Sequence, residues 1–169
     1  VKIGILSDTH NHQHNLKHAL AAFEERGVSR LIHCGDVTSG EVILLFAGWS
    51  ISFVLGNMDL NRDELLDAAH LIGAPPPTLS REIEVDGKLI GVTHGHDQSI
   101  LYRLMISGKY DYVCHGHTHR RRNEPRSAYG VRLINPGALG GSYPQTRSVC
   151  VLDVHTAEAE FIEFPDLLS

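Results

Sequence analysis

Five short apolar runs in this sequence each stop at residues able to ligate a metal, and that pattern constrains the fold more than any other feature. The ends carry Ser7-Asp8-Thr9-His10, Gly35-Asp36, Gly56-Asn57, Thr93-His94-Gly95-His96 and Cys114-His115-Gly116-His117-Thr118-His119. In an extended segment residues i and i+2 point the same way, so His117 and His119 can aim at one point. Gly116 lets the backbone bend close to whatever lies there.

The spacing around these ends predicts the architecture. Strands are expected over 1–6, 30–34 and 51–55, separated by helices over 15–26, ended by Gly27, and over 40–47. Apolar residues at helical spacing (Leu16, Ala19, Leu20, Phe23) support the first helix. Such β-α-β-α-β alternation implies parallel strands with right-handed crossovers. Asp8, Asp36 and Asn57 then stand just past the carboxyl ends of neighbouring strands, where open α/β sheets place ligands. A further helix is expected over 61–69. A hairpin over 79–85 and 88–93 turns at Asp86-Gly87, and a helix bearing Ile100, Leu101, Leu104 and Met105 leads to a strand over 110–114. A second hairpin over 120–122 and 131–134, a glycine-rich loop over 135–141, and strands over 148–154 and 158–164 complete the chain. The first half reads as parallel α/β and the second as hairpin-rich. Two packed sheets flanked by helices are therefore expected, as one domain over 1–169.

Composition narrows the partners. The chain has 169 residues, and a net charge of −5 gives no global pull towards nucleic acid, so an anionic substrate needs a local positive site. No run of about 18 apolar residues is present, so no membrane span is expected. No basic-then-apolar leader opens the sequence. Cys34, Cys114 and Cys150 lack C-x-x-C spacing, which argues for reduced thiols and a cytoplasmic setting. Histidine is the outlier, with 12 residues, most of them clustered.

Asp8, His10, Asp36, Asn57, His94, His117 and His119 make a candidate donor set of carboxylate, amide oxygen and imidazole without thiolate. That mixture suits Mn, Fe, Co, Ni or Zn rather than a structural zinc cage. Seven donors exceed one tetrahedral site but suit two metals sharing a bridging carboxylate, about 3.5–4 Å apart, clamping an in-line displacement at phosphorus.

The five blocks, in this order, resemble those of the calcineurin-like metallophosphoesterases, most closely the small single-domain phosphodiesterases of bacteria and archaea. The resemblance spans residues 1 to 155 and includes Asn135-Pro136-Gly137. It implies an α/β fold in which two mixed β-sheets pack as a sandwich flanked by helices. It also implies that Asp8, His10, Asp36 and His119 hold one metal, and that Asn57, His94 and His117 hold a second, with Asp36 bridging. Mn²⁺ is the expected ion, with Ni²⁺, Zn²⁺, Fe²⁺ and Co²⁺ also suited, and the expected partner is a small phosphodiester. Small members often self-associate, so a homo-oligomer is an expectation too. One position departs: many members carry a histidine after the third-block asparagine, where this chain has Met58, which cannot give a proton. His96, brought beside His94 by Gly95, is expected to take part of that role.

Two other functions compete. A phosphomonoesterase is disfavoured by Met58 and by the lack of obvious substrate-recognition inserts. An interaction scaffold, the role of a retromer subunit with this fold, is disfavoured because every ligand position is intact. Of the remaining polar residues, Asp59 is expected to cap the next helix or orient a ligand. Arg120-Arg121-Arg122 reads as a solvated face, and His12, His14 and His18 as surface. His33 and His115 read as structural, and Cys34 as a small buried side chain.

Overall fold

The computed structural model describes residues 1–125, 127–143 and 145–165. Its first layer grows from the apolar runs at the start of the chain. Strand β1 (Lys2–Leu6) pairs in parallel with β2 (Arg30–His33), and β2 in parallel with β3 (Ile51–Phe53), in the register Leu6↔His33↔Phe53. The crossovers are α1 (Gln13–Glu25) and α2 (Gly40–Leu44). The expected second helix is shortened because residues after Leu44 close i→i+3 turns: Phe46 N–H donates to Ile43, and Ala47 N–H to Leu44. Helix α3 (Arg62–Leu71) follows, and its N-cap is Asn61, whose Oδ1 accepts from Glu64 N–H at 3.2 Å.

The second sheet begins with β4 (Ser80–Val85) and β5 (Lys88–Thr93). They join through Asp86 and Gly87, both at positive φ, the twist of a tight hairpin turn. Helix α4 (Gln98–Ile106), capped by Asp97 Oδ1, carries the chain to β6 (Tyr112–Cys114). Then come β7 (Arg122–Glu124) and β8 (Arg132–Asn135), which pair antiparallel, so the expected hairpin forms slightly displaced along the chain. The sheet order is β4-β5-β6-β8-β7, and its three middle strands are parallel. The second half is hairpin-rich, as its sequence reads, with β4–β5 and β7–β8 both antiparallel. Between these hairpins β5, β6 and β8 run parallel, as β1, β2 and β3 do along one side of the first sheet.

The last two strands, β9 (Arg147–Asp153) and β10 (Ala159–Phe164), return to the first sheet, giving the order β10-β9-β1-β2-β3. Both sheets are mixed. Ile3, Ile5, Ile32, Ile90, Val92, Ile134 and Cys150 fill the space between them. Leu16, Phe23, Leu31, Phe46 and Phe53 pack α1 and the loop after α2 onto the outer face of the first sheet. Burying a side chain such as Phe23 contributes about 1.5–3 kcal/mol. Val113 and Leu133 meet Leu101, Leu104 and Met105 of α4 on the outer face of the second. No helix among the described residues is long and apolar enough to cross a membrane. The loops after β1, β2, β3, β5 and β6 meet along one edge, and that edge carries the site.

Candidate metal centre

The two aspartates come from the first sheet, and each has one oxygen held by donors and the other presented to imidazoles. Asp8 Oδ2 accepts from Ser7 Oγ at 2.6 Å and from the backbone N–H of His117 at 3.0 Å. Its Oδ1 is buried and takes no hydrogen bond, although Nε2 of His119, His10 and His94 lie 3.2, 3.5 and 3.8 Å away. Asp36 Oδ1 accepts from Met58 N–H at 2.8 Å, while Oδ2 lies 3.2 Å from His94 Nε2 and 3.6 Å from His10 Nε2. Burial resists ionisation of Asp8, but His10, His119, His94 and Ser7 outweigh it and hold its carboxyl well below the usual range. Asp36 is shifted the same way, its burial offset chiefly by His94. Burial works against a charge on His94 as well, yet Asp36 and Asp8 raise its pKa.

The imidazoles are oriented from behind. His94 Nδ1–H donates to the Cys34 carbonyl at 2.7 Å, which directs Nε2 at the carboxylates and at Asn57 Oδ1, 3.1 Å away. Nε2 of His10 and of His119 lie 3.3 Å apart. Asp8, His10 and His119 form one group of three converging donors, and Asp8, Asp36 and His94 another. Asn57 joins the second group through His94. His117 is exposed and stands outside both groups, its ring 5.2 Å from that of His94. Of the seven residues expected from the sequence, five belong to these two groups, Asn57 reaches them through His94, and His117 lies beside them.

Local backbone strain marks the same place. Asp8, His10, Asp36, His117 and His119 all have positive φ, sparsely populated for residues other than glycine. Gly116 and Gly56 allow the loops to close up. A Cβ on Gly116 would lie 2.0 Å from Ser7 Oγ and 2.6 Å from Asp8 Oδ2, and one on Gly56 2.1 Å from Asp36 Oδ1.

Several further residues support the loops that carry these donors. Asp59 is buried and does not cap α3: its Oδ2 accepts from the N–H groups of Asp36 (2.9 Å) and Gly56 (2.7 Å), and its Oδ1 from Thr38 (2.8 Å). It therefore ties the Asp36 loop to the Asn57 loop. Asn135 Nδ2 donates to the Gly116 carbonyl and to Thr118 Oγ1, each at 3.1 Å. Gln145 places Nε2 2.9 Å from His119 Nδ1, and a flip of its amide would present an acceptor to Nδ1–H and free Nε2. Buried Arg147 donates to the carbonyls of Gly140 and Tyr143, fastening the glycine-rich loop whose Gly140 N–H donates to the Asp8 carbonyl at 2.8 Å.

The other sequence-marked residues fall into place around this frame. His33 is buried, with Nε2 2.8 Å from Thr9 Oγ1, and burial lowers its pKa to about 3. His115 lies between the Gly116 carbonyl and Arg122, and burial lowers its pKa to about 4. Arg121 pairs with Glu163 and Arg122 with Glu124, away from the carboxylates. Burial pushes the Cys150 thiol up to about 12 and raises those of Cys34 and Cys114, so none is a ready nucleophile. His96 sets its ring 5.5 Å from that of His94 and 6.3 Å from that of His117, with Nδ1 buried and unpartnered.

A buried carboxylate oxygen without a hydrogen bond, facing three imidazole nitrogens, fits a cation. The oxygen and nitrogen donors fit a divalent metal. Fold and donor set together define a metal-dependent phosphoesterase, a hydrolase. Residues 1–157 match the calcineurin-like phosphoesterase superfamily domain, and the chain belongs to that superfamily, which uses divalent metals. It is 36% identical over 163 residues to phosphodiesterase MJ0936 of Methanocaldococcus jannaschii, covering 94% of this chain and 96% of that one. The solved structure of a novel archaeal phosphodiesterase superposes with a TM-score of 0.89 at 35% identity, covering 97% of this chain and all of that one. Yfce, a phosphoesterase from E. coli, shares the fold at 19% identity with a TM-score of 0.67, covering 96% and 98% of the two chains.

Proposed function

We propose that the chain is a phosphodiesterase that hydrolyses a small phosphodiester in-line at a binuclear metal centre. The observation that carries this reading is the paired orientation of the carboxylates. Asp8 Oδ1 and Asp36 Oδ2 face the imidazoles while their other oxygens are held by N–H and O–H donors. Asp8, His10, Asp36 and His119 would hold one ion, and Asn57, His94 and His117 the other. Asp36 is suited to bridge, since its Oδ2 lies between His94 and His10. Two bound divalent cations, Mn²⁺ foremost and Ni²⁺, Zn²⁺, Fe²⁺ or Co²⁺ by the same donor chemistry, would lower the pKa of a shared water from 15.7 to about 7 and supply hydroxide as nucleophile.

The protein's own groups set up the rest. Two aspartates against two dications and a hydroxide leave roughly one net positive charge to receive a phosphate anion. The chain provides this without a basic patch, since Arg121 and Arg122 are already paired. His96, beside His94 and His117, would take part of the leaving-group role of the imidazole absent at Met58. The naming of the archaeal relatives as phosphodiesterases supports a diester over a monoester.

The test is to strip the protein of metal, restore Mn²⁺, and compare bis-p-nitrophenyl phosphate with p-nitrophenyl phosphate, with Asp36→Asn alongside. Metal-dependent diester turnover that disappears in the variant is the expected result. Preference for the monoester would replace this reading with a phosphomonoesterase. Full turnover of a poor-leaving-group diester by His96→Ala would remove His96 from the mechanism.

A further inference from the structure

The catalytic centre leaves one histidine pair unexplained. His14 and His18 lie one turn apart on α1, both exposed. Side chains at i and i+4 share a helix face. Here they meet: Nε2 of His18 lies 3.2 Å from Nε2 of His14, while the ring centroids are 4.6 Å apart with planes at 74°. The nitrogens are closer together than the ring centroids, so the two Nε2 atoms sit on the facing sides of the rings at the exposed surface of the helix.

We propose that His14 and His18 form a surface site for a late divalent transition metal, Cu²⁺, Ni²⁺ or Zn²⁺, separate from the catalytic centre. The geometry fits chelation. A metal–imidazole bond is about 2.0–2.1 Å, and two such bonds to nitrogens 3.2 Å apart enclose an angle of about 100°. That value lies between the square and the tetrahedral angle, so the nitrogen spacing already suits an ion once the exposed rings rotate to turn both lone pairs outward. Exposure leaves the remaining coordination positions to water. Without an ion, the same contact is one N–H···N hydrogen bond between two solvated rings, for which water competes freely.

The donor set also decides which ions enter. Two imidazoles without a carboxylate follow the order in which Cu²⁺, Ni²⁺ and Zn²⁺ bind more tightly than Mn²⁺. The centre built on Asp8 and Asp36 adds the hard oxygen donors that Mn²⁺ prefers. The protein therefore carries two kinds of site that sort the same mixture of metals differently.

Equilibrium dialysis of tag-free protein against Ni²⁺ and, separately, Mn²⁺ tests this, comparing wild type with His14→Ala and His18→Ala. At saturating Ni²⁺ each variant is expected to bind one equivalent less than wild type. Mn²⁺ stoichiometry and Mn²⁺-supported turnover should be unchanged. The electron paramagnetic resonance spectrum of added Cu²⁺ should show coupling to two imidazole nitrogens that either substitution removes. Equal Ni²⁺ counts in wild type and both variants, up to millimolar metal, would overturn the proposal. The comparison does not depend on the catalytic reading, because the difference of one equivalent is also expected in an Asp36→Asn background, whatever that protein binds at its centre.

Discussion

The two sheets contribute unlike halves to the site. The first supplies the two carboxylates of the candidate centre, and both are buried: Asp8 is 0% and Asp36 2% exposed, each with an oxygen held by donors. The second supplies imidazoles, of which His94 is buried, His119 is about a quarter exposed and His117 is open to solvent. The difference follows from solvation. Two carboxylates in one buried site are costly unless donors and cations offset their charge, whereas a neutral imidazole can stand at the rim at little cost. The centre thus has a buried anionic floor and a more exposed imidazole wall, and substitutions should reveal the inequality.

The largest effect is expected on the floor itself. Asp36→Asn should reduce diester turnover by more than about 100-fold, beyond the 10–100-fold typical of outer-shell partners, with metal content measured alongside. Next comes Asp59→Ala, which leaves three N–H donors unpaired, two of them buried. It should lower metal affinity about 10–100-fold and the unfolding free energy by about 2–3 kcal/mol, read by metal titration and urea denaturation. If Asp59→Ala changed neither, the floor would not depend on this brace. On the wall, Gln145→Ala should cost only about 10-fold in affinity. An effect equal to that of Asp59→Ala would erase the distinction between floor and wall.

Acid sharpens the contrast further. His33 lies under the floor and His115 under the wall, and burial holds both neutral, with pKa values of about 3 and about 4 against an ordinary 6.5. The unfolded chain takes up these protons first, so stability is full above about pH 6.5 and falls as pH drops through that value. By pH 4 the loss should be on the order of 2–3 kcal/mol per histidine. In metal-free protein, urea midpoints across this window should flatten more in His33→Gln than in His115→Gln. The smallest effect belongs to His14→Ala, for which Mn²⁺-supported turnover should be unchanged and stability should shift by less than about 0.5 kcal/mol.

The positions of the donors were legible in the sequence because each follows a short apolar run, and a strand that stops at a polar residue has few places to put it. The capping of α3 was not assignable from the pattern alone. Asp59 and Asn61 both precede the helix, and only the folded loop shows that Asp59 turns inward while Asn61 caps. Gln145 and Arg147 were invisible for a different reason. Gln145 reaches a histidine 26 residues away and Arg147 bonds carbonyls four and seven residues back, and neither helical nor strand periodicity records such contacts. The return of β9 and β10 to the first sheet is likewise a long-range pairing that alternation within each strand does not specify. The spacing of His14 and His18 was plain, but their convergence depends on ring rotation.

The positive φ angles of Asp8, His10, Asp36, His117 and His119 bear on which amino acids such a centre can be written in. Outside glycine, the left-handed region is entered most readily by aspartate, asparagine and histidine. Those are also the residues that offer a carboxylate, an amide oxygen or an imidazole on a short stem. One small alphabet therefore satisfies the backbone and the ion at the same time. A glutamate at position 36 would bring the same chemical group and fail twice, once in reach and once in the turn beneath it. At these five positions the backbone and the donor chemistry together favour three letters, while the strands behind them require only apolar residues that fit.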